Sequence, residues 1–282
     1  MSVLSNVLKI FSLCLVLGMI IYAYLEFQQR MIYHPKPYGQ SYQKQLSRVI
    51  PIEYETDQGN QTAYFYKGQS SIPSKKLWVL FSGNSSLAMD WFDRLLDNYS
   101  DIHSAFLMID YPGYGRCEGK ASPNRIRKSA DKALETLYER YTGLNMKSES
   151  QLNVLGHSLG AAIALEFASR HPCKRVVLLA PFTSLEDMAK RVVGFPMSYA
   201  LSHRLDNHDR LLELSQQSPQ PIIFLIHGNN DAVVPIEMGK QLAESFPGMV
   251  RFIALPLMDH RTVITRGRKT IFQAMDGHRA DQ

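Results

Sequence analysis

The stretch VLGHSLGAAIAL at residues 154–165 joins an apolar run to an alanine-rich run through a turn flanked by two glycines. An apolar run that leads at once into a helix-forming stretch predicts a strand that passes directly into a helix. So short a connection brings backbone atoms close together, which glycine tolerates best. Ser158 stands at the apex of the turn in the pattern Gly-x-Ser-x-Gly, which in this context holds a serine hydroxyl above a sheet. The sequence therefore predicts a nucleophilic serine at position 158.

Other short apolar runs have the same composition as the run before Ser158. Such runs are typical of parallel strands that are covered on both faces. Together with that run they occupy residues 76–83, 104–111, 151–157, 174–181, 221–228 and 250–256. Helix-forming stretches separate most of them, at residues 87–99, 124–141, 159–170 and 236–246. This alternation predicts one large α/β domain with a mostly parallel, doubly wound sheet.

Two further segments extend this pattern. Residues 48–55 and 62–68 alternate β-branched or aromatic residues with polar ones, which predicts an antiparallel hairpin at the edge of the sheet, with TDQGNQ as its turn region. The long interval 182–219 is compatible with two short helices over the carboxyl rim of the sheet. It is either an ordinary crossover or a small lid over the substrate.

The N-terminal segment is apolar, and residues 10–25 carry no charge. This length and composition predict an N-terminal membrane anchor over residues 1–30, followed by a catalytic domain over 31–282. A cleaved signal peptide and a buried helix are the alternatives, and the few flanking positive charges leave the side of the catalytic domain open.

Charge and cysteine content exclude some classes of protein. The formal net charge is +5, but the basic residues are scattered among acidic ones, so we expect no nucleic-acid partner. Cys14 lies in the apolar segment, and the strand prediction places Cys117 and Cys173 at opposite rims of the sheet, too far apart for a disulfide.

Two later loops offer partners for Ser158. Serine is a weak nucleophile until a base takes its proton, and in sheets of this kind the acid and the histidine follow later strands in that order. Asp231 comes after the run at 221–228, and His260 comes after the run at 250–256. The sequence therefore predicts that His260 is the base and that Asp231 orients it.

Five other titratable residues compete for these roles. Glu186 and Asp187 follow the run at 174–181 and are an alternative acid site. Asp259 is adjacent to His260 in the chain and cannot easily turn back onto its ring. His157 and His227 are expected to be structural residues.

A hydrolytic site also needs donors for the oxyanion of the tetrahedral intermediate. The backbone N–H of Leu159 is the first candidate, and the second lies in the loop FSGNSS at residues 81–86, where we favour Asn84 over Ser85. No cofactor is expected, because the sequence has no clustered His/Cys spacing, no Gly-x-Gly-x-x-Gly opening a helix and no Walker-type lysine.

Together these residues resemble the serine hydrolases of the α/β-hydrolase superfamily. The order of motifs is most similar to membrane-anchored α/β-hydrolase-domain proteins, a group that includes lysophospholipid lipases and protein depalmitoylases. The matching segments between residues 20 and 265 are FQQRMIYHP, FSGNSS, DYPGYGRCEGKASP, GHSLG, APFTSL, HGNNDAVVP and the final Asp-His. The resemblance implies the α/β-hydrolase fold, preceded here by one transmembrane helix.

Two positions depart from the family pattern. Ser82 stands where the family usually has histidine, which leaves open how the oxyanion loop is braced. Cys117 stands where serine is usual, and we expect this change to affect the structural support of the site more than its chemistry.

These observations predict a membrane-anchored hydrolase of carboxylic esters or thioesters that forms an acyl-Ser158 intermediate. Its expected partners are a small-molecule or lipid acyl substrate and a membrane. An acyltransferase with the same residues and a catalytically silent binding scaffold remain alternatives. Apolar residues after the run at 174–181 are expected to line an acyl-binding groove: Phe182, Met188, Val192, Val193, Phe195 and Met197.

Overall fold

The computed structural model describes residues 2–68, 76–101, 103–141, 152–194, 198 and 201–277. The strands within these residues are β1 (Ile50–Thr56), β2 (Gly59–Tyr66), β3 (Lys76–Phe81), β4 (Ser104–Ile109), β5 (Leu152–His157), β6 (Arg175–Leu179), β7 (Ile222–Gly228) and β8 (Val250–Leu255). They form one eight-stranded sheet in the order β1-β2-β4-β3-β5-β6-β7-β8. The pairs β1/β2 and β2/β4 are antiparallel, and the remaining neighbours are parallel. The predicted mostly parallel sheet with an antiparallel edge hairpin is therefore confirmed.

Helices cover both faces of this sheet. They are α1 (Ser2–Ile32), α2 (Gln43–Leu46), α3 (Asp90–Arg94), α4 (Pro123–Arg140), α5 (Leu159–Arg170), α6 (Leu185–Val193), α7 (Asn207–Ser215), α8 (Ile236–Ser245), α9 (Thr262–Arg266) and α10 (Arg268–Asp276). Buried side chains of α4, α5, α7 and α8 pack with one face of the sheet, and those of α3, α9 and α10 pack with the other. Along β3, for example, Val79 points into the first layer and Trp78 and Leu80 into the second, all fully buried. This two-sided burial is the reason that the strands read as continuous apolar runs.

The edge hairpin turns more tightly than the sequence suggests. Its strands pair from Ile50 opposite Phe65 to Thr56 opposite Gly59, so that only Asp57 and Gln58 remain in the turn. Gly59 has a φ of +94°, a backbone conformation that favours glycine.

The predicted helix at 87–99 is broken into a short α-helix, α3, and a 3₁₀ turn at Leu96–Asn98. The backbone N–H groups of Leu87 and Ala88 donate to the carboxylates of Asp90 and Asp110, respectively. Because these carboxylates hold the two N–H groups, the helix starts later than predicted. Local helix propensity does not reveal this competition.

The interval 182–219 contains the two short helices that the sequence predicts. Ser184 caps α6 by accepting a hydrogen bond from the Asp187 N–H, and Asp206 caps α7. Helix α7 packs against α5, with Leu211 and Leu214 fully buried, so it belongs to the helical layer and not to the carboxyl rim. Only α6 remains at the rim, and its function as a lid stays a prediction.

Helix α1 has two different parts. Among the described residues, Ser5–Ile32 is the single stretch long and apolar enough to cross a membrane, with a mean hydropathy of 2.1 over a window of 18 residues. Residues 5–23 are exposed, whereas Gln28 is buried against the rest of the protein. The boundary predicted at residue 30 therefore falls inside a continuous helix.

Candidate active site

The turn at Ser158 is as short as the sequence predicts, and its backbone is strained. β5 ends at His157 and α5 begins at Leu159, which leaves Ser158 alone between them with φ +56° and ψ −118°. Its N–H donates to the carbonyl of Leu179 in the neighbouring strand β6 at 2.9 Å. A positive φ at a residue other than glycine persists only where the surrounding structure holds it, and such strain clusters at functional positions.

The two glycines of the turn are required by close packing. A Cβ atom on Gly156 would overlap the carbonyl oxygen of Gly160 and lie 2.8 Å from the Cα of Ala161. A Cβ atom on Gly160 would overlap the carbonyl of Phe81 and lie 2.6 Å from the carbonyl oxygen of Ser82. The glycines thus let α5 start directly behind β5 and beside the end of β3.

Asp231 and His260 meet at the carboxyl edge of the sheet. His260 Nδ1 lies 2.7 Å from Asp231 Oδ2, while Asp231 Oδ1 accepts hydrogen bonds from the N–H groups of Val233 (2.9 Å) and Val234 (2.8 Å). Burial alone would raise the pKa of Asp231, but hydrogen bonds from His227, His260 and Val234 outweigh it and hold the pKa below its usual range. The carboxylate is therefore ionised and oriented toward the His260 ring.

The alternative acids have other partners. Asp187 accepts hydrogen bonds from the hydroxyls of Thr183 (2.7 Å) and Ser184 (2.8 Å). Glu186 pairs with Lys190 at 3.0 Å. Asp259 accepts hydrogen bonds from the N–H groups of Arg261 and Thr262 where α9 begins.

His157 supports the position of His260. Its Nε2 lies 2.8 Å from the carbonyl oxygen of His260, and the two ring centroids are 4.7 Å apart. Burial, and after it the electrostatic interaction with the neighbouring His260 ring, lower the pKa of His157 to about 3. His157 is therefore neutral, and its Nε2–H is the donor in this contact. A structural role was predicted, but its partner is 103 residues away in the chain and gives no local signal.

Tyrosine hydroxyls brace the loop that follows β3. Tyr111 donates to the carbonyl of Ser82 at 2.6 Å, and Tyr114 donates to the carbonyl of Asn84 at 2.5 Å. Asn84 Nδ2 also donates to the carbonyl of Ile32, the last residue of α1, at 3.2 Å. Ser82 is buried, and its hydroxyl lies 3.3 Å from the carbonyl of Leu87. Two tyrosines and the end of α1 thus support the loop, a role that the sequence did not reveal.

The predicted site residues surround one cavity of about 330 Å³. Ser158, His260, Leu159, Asn84 and Ser85 line it, and Asp231 lies behind His260. Because Leu159 is the first residue of α5, its N–H has no partner within the helix and remains a donor for a ligand.

Apolar side chains form most of the cavity wall. Of the predicted groove residues, Phe182, Met188, Val192 and Val193 line it, whereas Phe195 and Met197 lie outside the described residues. The sequence did not predict that α1 contributes to this wall. Within the described part of the chain, no cluster of three or more His, Cys, Asp or Glu residues could hold a metal ion.

A mostly parallel eight-stranded sheet, with a strained serine turn after β5 and a histidine–aspartate pair after later strands, defines the α/β-hydrolase class. Solved structures share this fold. An α/β hydrolase from Vibrio vulnificus superposes with a TM-score of 0.70 at 16% identity, over 89% of this chain and 92% of that one. The Pyrococcus furiosus esterase Pf2001 superposes with a TM-score of 0.64 at 17% identity, over 88% of this chain and 98% of that one.

The chain has the α/β-hydrolase fold, and its sequence is similar to those of α/β-hydrolase proteins. Residues 73–208 match the family model described as serine aminopeptidase, S33. Protein bem46 of Schizosaccharomyces pombe is 24% identical over 245 residues, which cover 83% of this chain and 80% of that protein. The mouse (Mus musculus) α/β-hydrolase domain-containing protein 17C is 28% identical over 179 residues, covering 63% of this chain and 52% of that protein. The family match and these relatives support hydrolase activity.

Proposed function

We propose that this protein is a membrane-anchored serine hydrolase that cleaves carboxylic esters or thioesters through an acyl-Ser158 intermediate. The observation that carries the proposal is the 2.7 Å contact between His260 and the buried Asp231, with His260 facing the same cavity as the strained Ser158. A nucleophile, a base and a group that orients the base are the three parts that acyl transfer to serine requires.

In the first half of the reaction, His260 takes the proton of the Ser158 hydroxyl as the oxygen attacks the acyl carbon. The ionised Asp231 stabilises the imidazolium that forms. The N–H of Leu159 and an N–H of the loop after β3, for which Asn84 is our candidate, receive the negative charge on the former carbonyl oxygen. The C–O or C–S bond then breaks, and the leaving alcohol or thiol takes its proton from His260.

In the second half, His260 removes a proton from a water molecule, which attacks the acyl carbon bound to Ser158. Collapse of the second tetrahedral intermediate releases the carboxylic acid and returns the proton from His260 to the serine oxygen. Use of another alcohol in place of water would give acyl transfer by the same steps.

The cavity lining favours an acyl substrate over a peptide with a free amino terminus. None of the described lining residues is Asp or Glu, and the one charged side chain among them, that of Arg261, is basic. An ammonium group brought into such a site would lack a carboxylate partner, which is costly. An apolar acyl chain, by contrast, is stabilised by the same lining.

Membrane anchoring is the second part of the proposal, and α1 supports it by its length and its exposed apolar surface. Exposed apolar side chains over so many turns are unfavourable in water and favourable in a bilayer. We expect the protein to stay with membranes during a high-salt wash and to be released by detergent. Release by salt alone would contradict this part.

The test of the chemistry is covalent labelling of the full chain in detergent with a fluorophosphonate. We expect modification of Ser158, no modification of Ser158→Ala, and faster hydrolysis of p-nitrophenyl esters than of aminoacyl anilides. Absence of labelling in correctly folded wild-type protein would overturn the proposal in favour of a silent scaffold. A higher rate on aminoacyl anilides would instead overturn the assignment to esters.

A further inference from the structure

One stripe of α1 faces the cavity that contains Ser158. Tyr24, Phe27, Gln28 and Met31 all line this cavity. Their spacing of three, four and seven residues places them on one face of the helix. The helix predicted as an anchor therefore also forms a wall of the candidate active site.

Hydrogen bonds hold this part of α1 in place. Gln28, which is 5% exposed, accepts hydrogen bonds from both the N–H and the hydroxyl of Ser202 at 2.8 Å. On the other side, Gln29 Nε2 donates to the carbonyl of Ala121 at 2.8 Å. Because two neighbouring residues of the helix are held by different segments, the wall has a defined position relative to Ser158.

Apolar surface continues from this wall along the helix. Phe27 and Met31 are 52% and 45% exposed although they line a cavity, and Val192 of the facing helix α6 is 64% exposed. The N-terminal part of α1 exposes further large apolar side chains, from Val7 to Tyr22. An acyl chain lying between α1 and α6 would cover the apolar lining and would remain in contact with this continuous surface.

We propose that the stripe Tyr24, Phe27, Gln28 and Met31 of α1 is the acyl-chain wall of the active site, and that it selects the length of a fatty-acyl ester or thioester. This inference rests on the proposed function and adds the residues that determine specificity. The acyl chain reaches Ser158 along α1, so the same helix holds the protein at the bilayer and guides the substrate.

The test is the acyl-length profile of the full-length protein in detergent, measured as kcat/KM on p-nitrophenyl esters from acetyl to palmitoyl. For the wild type we expect a rise of about fourfold per methylene until the cavity is full. The larger side chain of Met31→Trp takes up cavity volume equal to about two methylenes of the substrate. The optimum therefore moves to shorter acyl chains, and the ratio of long-chain to short-chain kcat/KM falls at least about tenfold. Phe27→Ala enlarges the cavity, so the optimum moves to longer chains.

Leu212→Trp is the matched control, because Leu212 is exposed on α7, away from the carboxyl rim, and is not a lining residue. We expect it to keep the wild-type profile. If Met31→Trp does not fold, the inference is tested by Phe27→Ala, for which the optimal acyl length should shift in the opposite direction. Wild-type profiles in the folded α1 variants, with hydrolysis still abolished by Ser158→Ala, would overturn the inference and leave the proposed function intact. Full hydrolysis by Ser158→Ala would instead overturn the proposed function.

A second measurement locates the acyl chain directly. A long-chain alkyl fluorophosphonate with a terminal diazirine is attached to Ser158 and irradiated, and the crosslinked peptide is identified by mass spectrometry. We expect crosslinks to residues 24–31. Crosslinks found only outside α1 would show that the chain follows another wall and would overturn the inference.

Discussion

Asp231 and Asp110 are two buried carboxylates that follow parallel strands at the same edge of the sheet, yet their pKa values are shifted in opposite directions. Asp231 receives hydrogen bonds from imidazole and backbone donors, and its pKa lies below the usual range. Asp110 accepts from the Tyr38 hydroxyl at 2.6 Å and the Ala88 N–H at 2.8 Å, and burial raises its pKa to about 6. Both carboxylates thus follow a strand, and their hydrogen-bond partners decide which of them can orient a histidine.

The largest loss of kcat should come from replacing Ser158 or His260, the groups that depend on Asp231 and not on Asp110. Ser158→Ala and His260→Ala should each lower kcat by about 10⁶, because the nucleophile and base act as one unit. The measurement is kcat on a soluble ester, with circular dichroism to check folding. A folded His260→Ala variant with wild-type kcat would remove His260 from the mechanism.

Exchange of each aspartate for asparagine tests the comparison directly. Asp231→Asn should lower kcat by about 10⁴, because the amide holds His260 in the tautomer that cannot accept the serine proton. Asp110→Asn should cost less than about tenfold, since Asp110 contacts neither His260 nor Ser158.

Asp187→Asn is the control for the alternative acid. Because Asp187 contacts Thr183, Ser184 and Lys190, we expect near wild-type kcat. A loss in this variant as large as that in Asp231→Asn would show that the acid is misassigned.

A smaller effect is expected from the second imidazole beside Asp231. His227 is fully buried, and its Nε2 lies 2.9 Å from the carbonyl of Val234 and 3.4 Å from Asp231 Oδ2. His227→Phe keeps most of the bulk and removes this donor, so kcat should fall about 10- to 100-fold while KM changes little. Equal losses in kcat for His227→Phe and for Asp231→Asn would indicate that the whole loop had moved.

The smallest expected effect concerns stability around Asp110. Because its pKa is raised to about 6 in the folded protein, the folded state holds a proton that the unfolded carboxyl releases near pH 4. The contribution of the Asp110 carboxyl to the free energy of unfolding therefore falls by roughly 2 kcal/mol as the pH rises from about 4 to about 6.

In Asp110→Asn this decline should vanish. The Tm of the variant minus the Tm of the wild type should therefore increase by a few degrees from pH 4 to pH 7. Thermal unfolding followed by circular dichroism checks it. A constant difference in Tm across this pH range would mean that the pKa of Asp110 is not raised in the folded protein.

Local sequence patterns were sufficient for most of the fold. The apolar runs predicted strands such as Leu152–His157 to within two residues, and the helix predicted at 159–170 has the bounds of α5. The short helices α9 and α10 were missed, because an isolated apolar stripe of two turns carries little periodic signal. Their existence depends on packing of Val263 and Ile271 against the second face of the sheet.

The sequence by itself determined the elements and the order in which Ser158, Asp231 and His260 follow their strands, because apolar periodicity and glycine spacing act over a few residues. The tertiary structure alone decided what those residues touch. The contact of His157 with His260, the bracing of the loop after β3 by Tyr111 and Tyr114, and the placement of α1 in the cavity wall all join distant parts of the chain. Periodicity says which face of an element is buried but not which element covers it, so these partners became visible only in the folded protein.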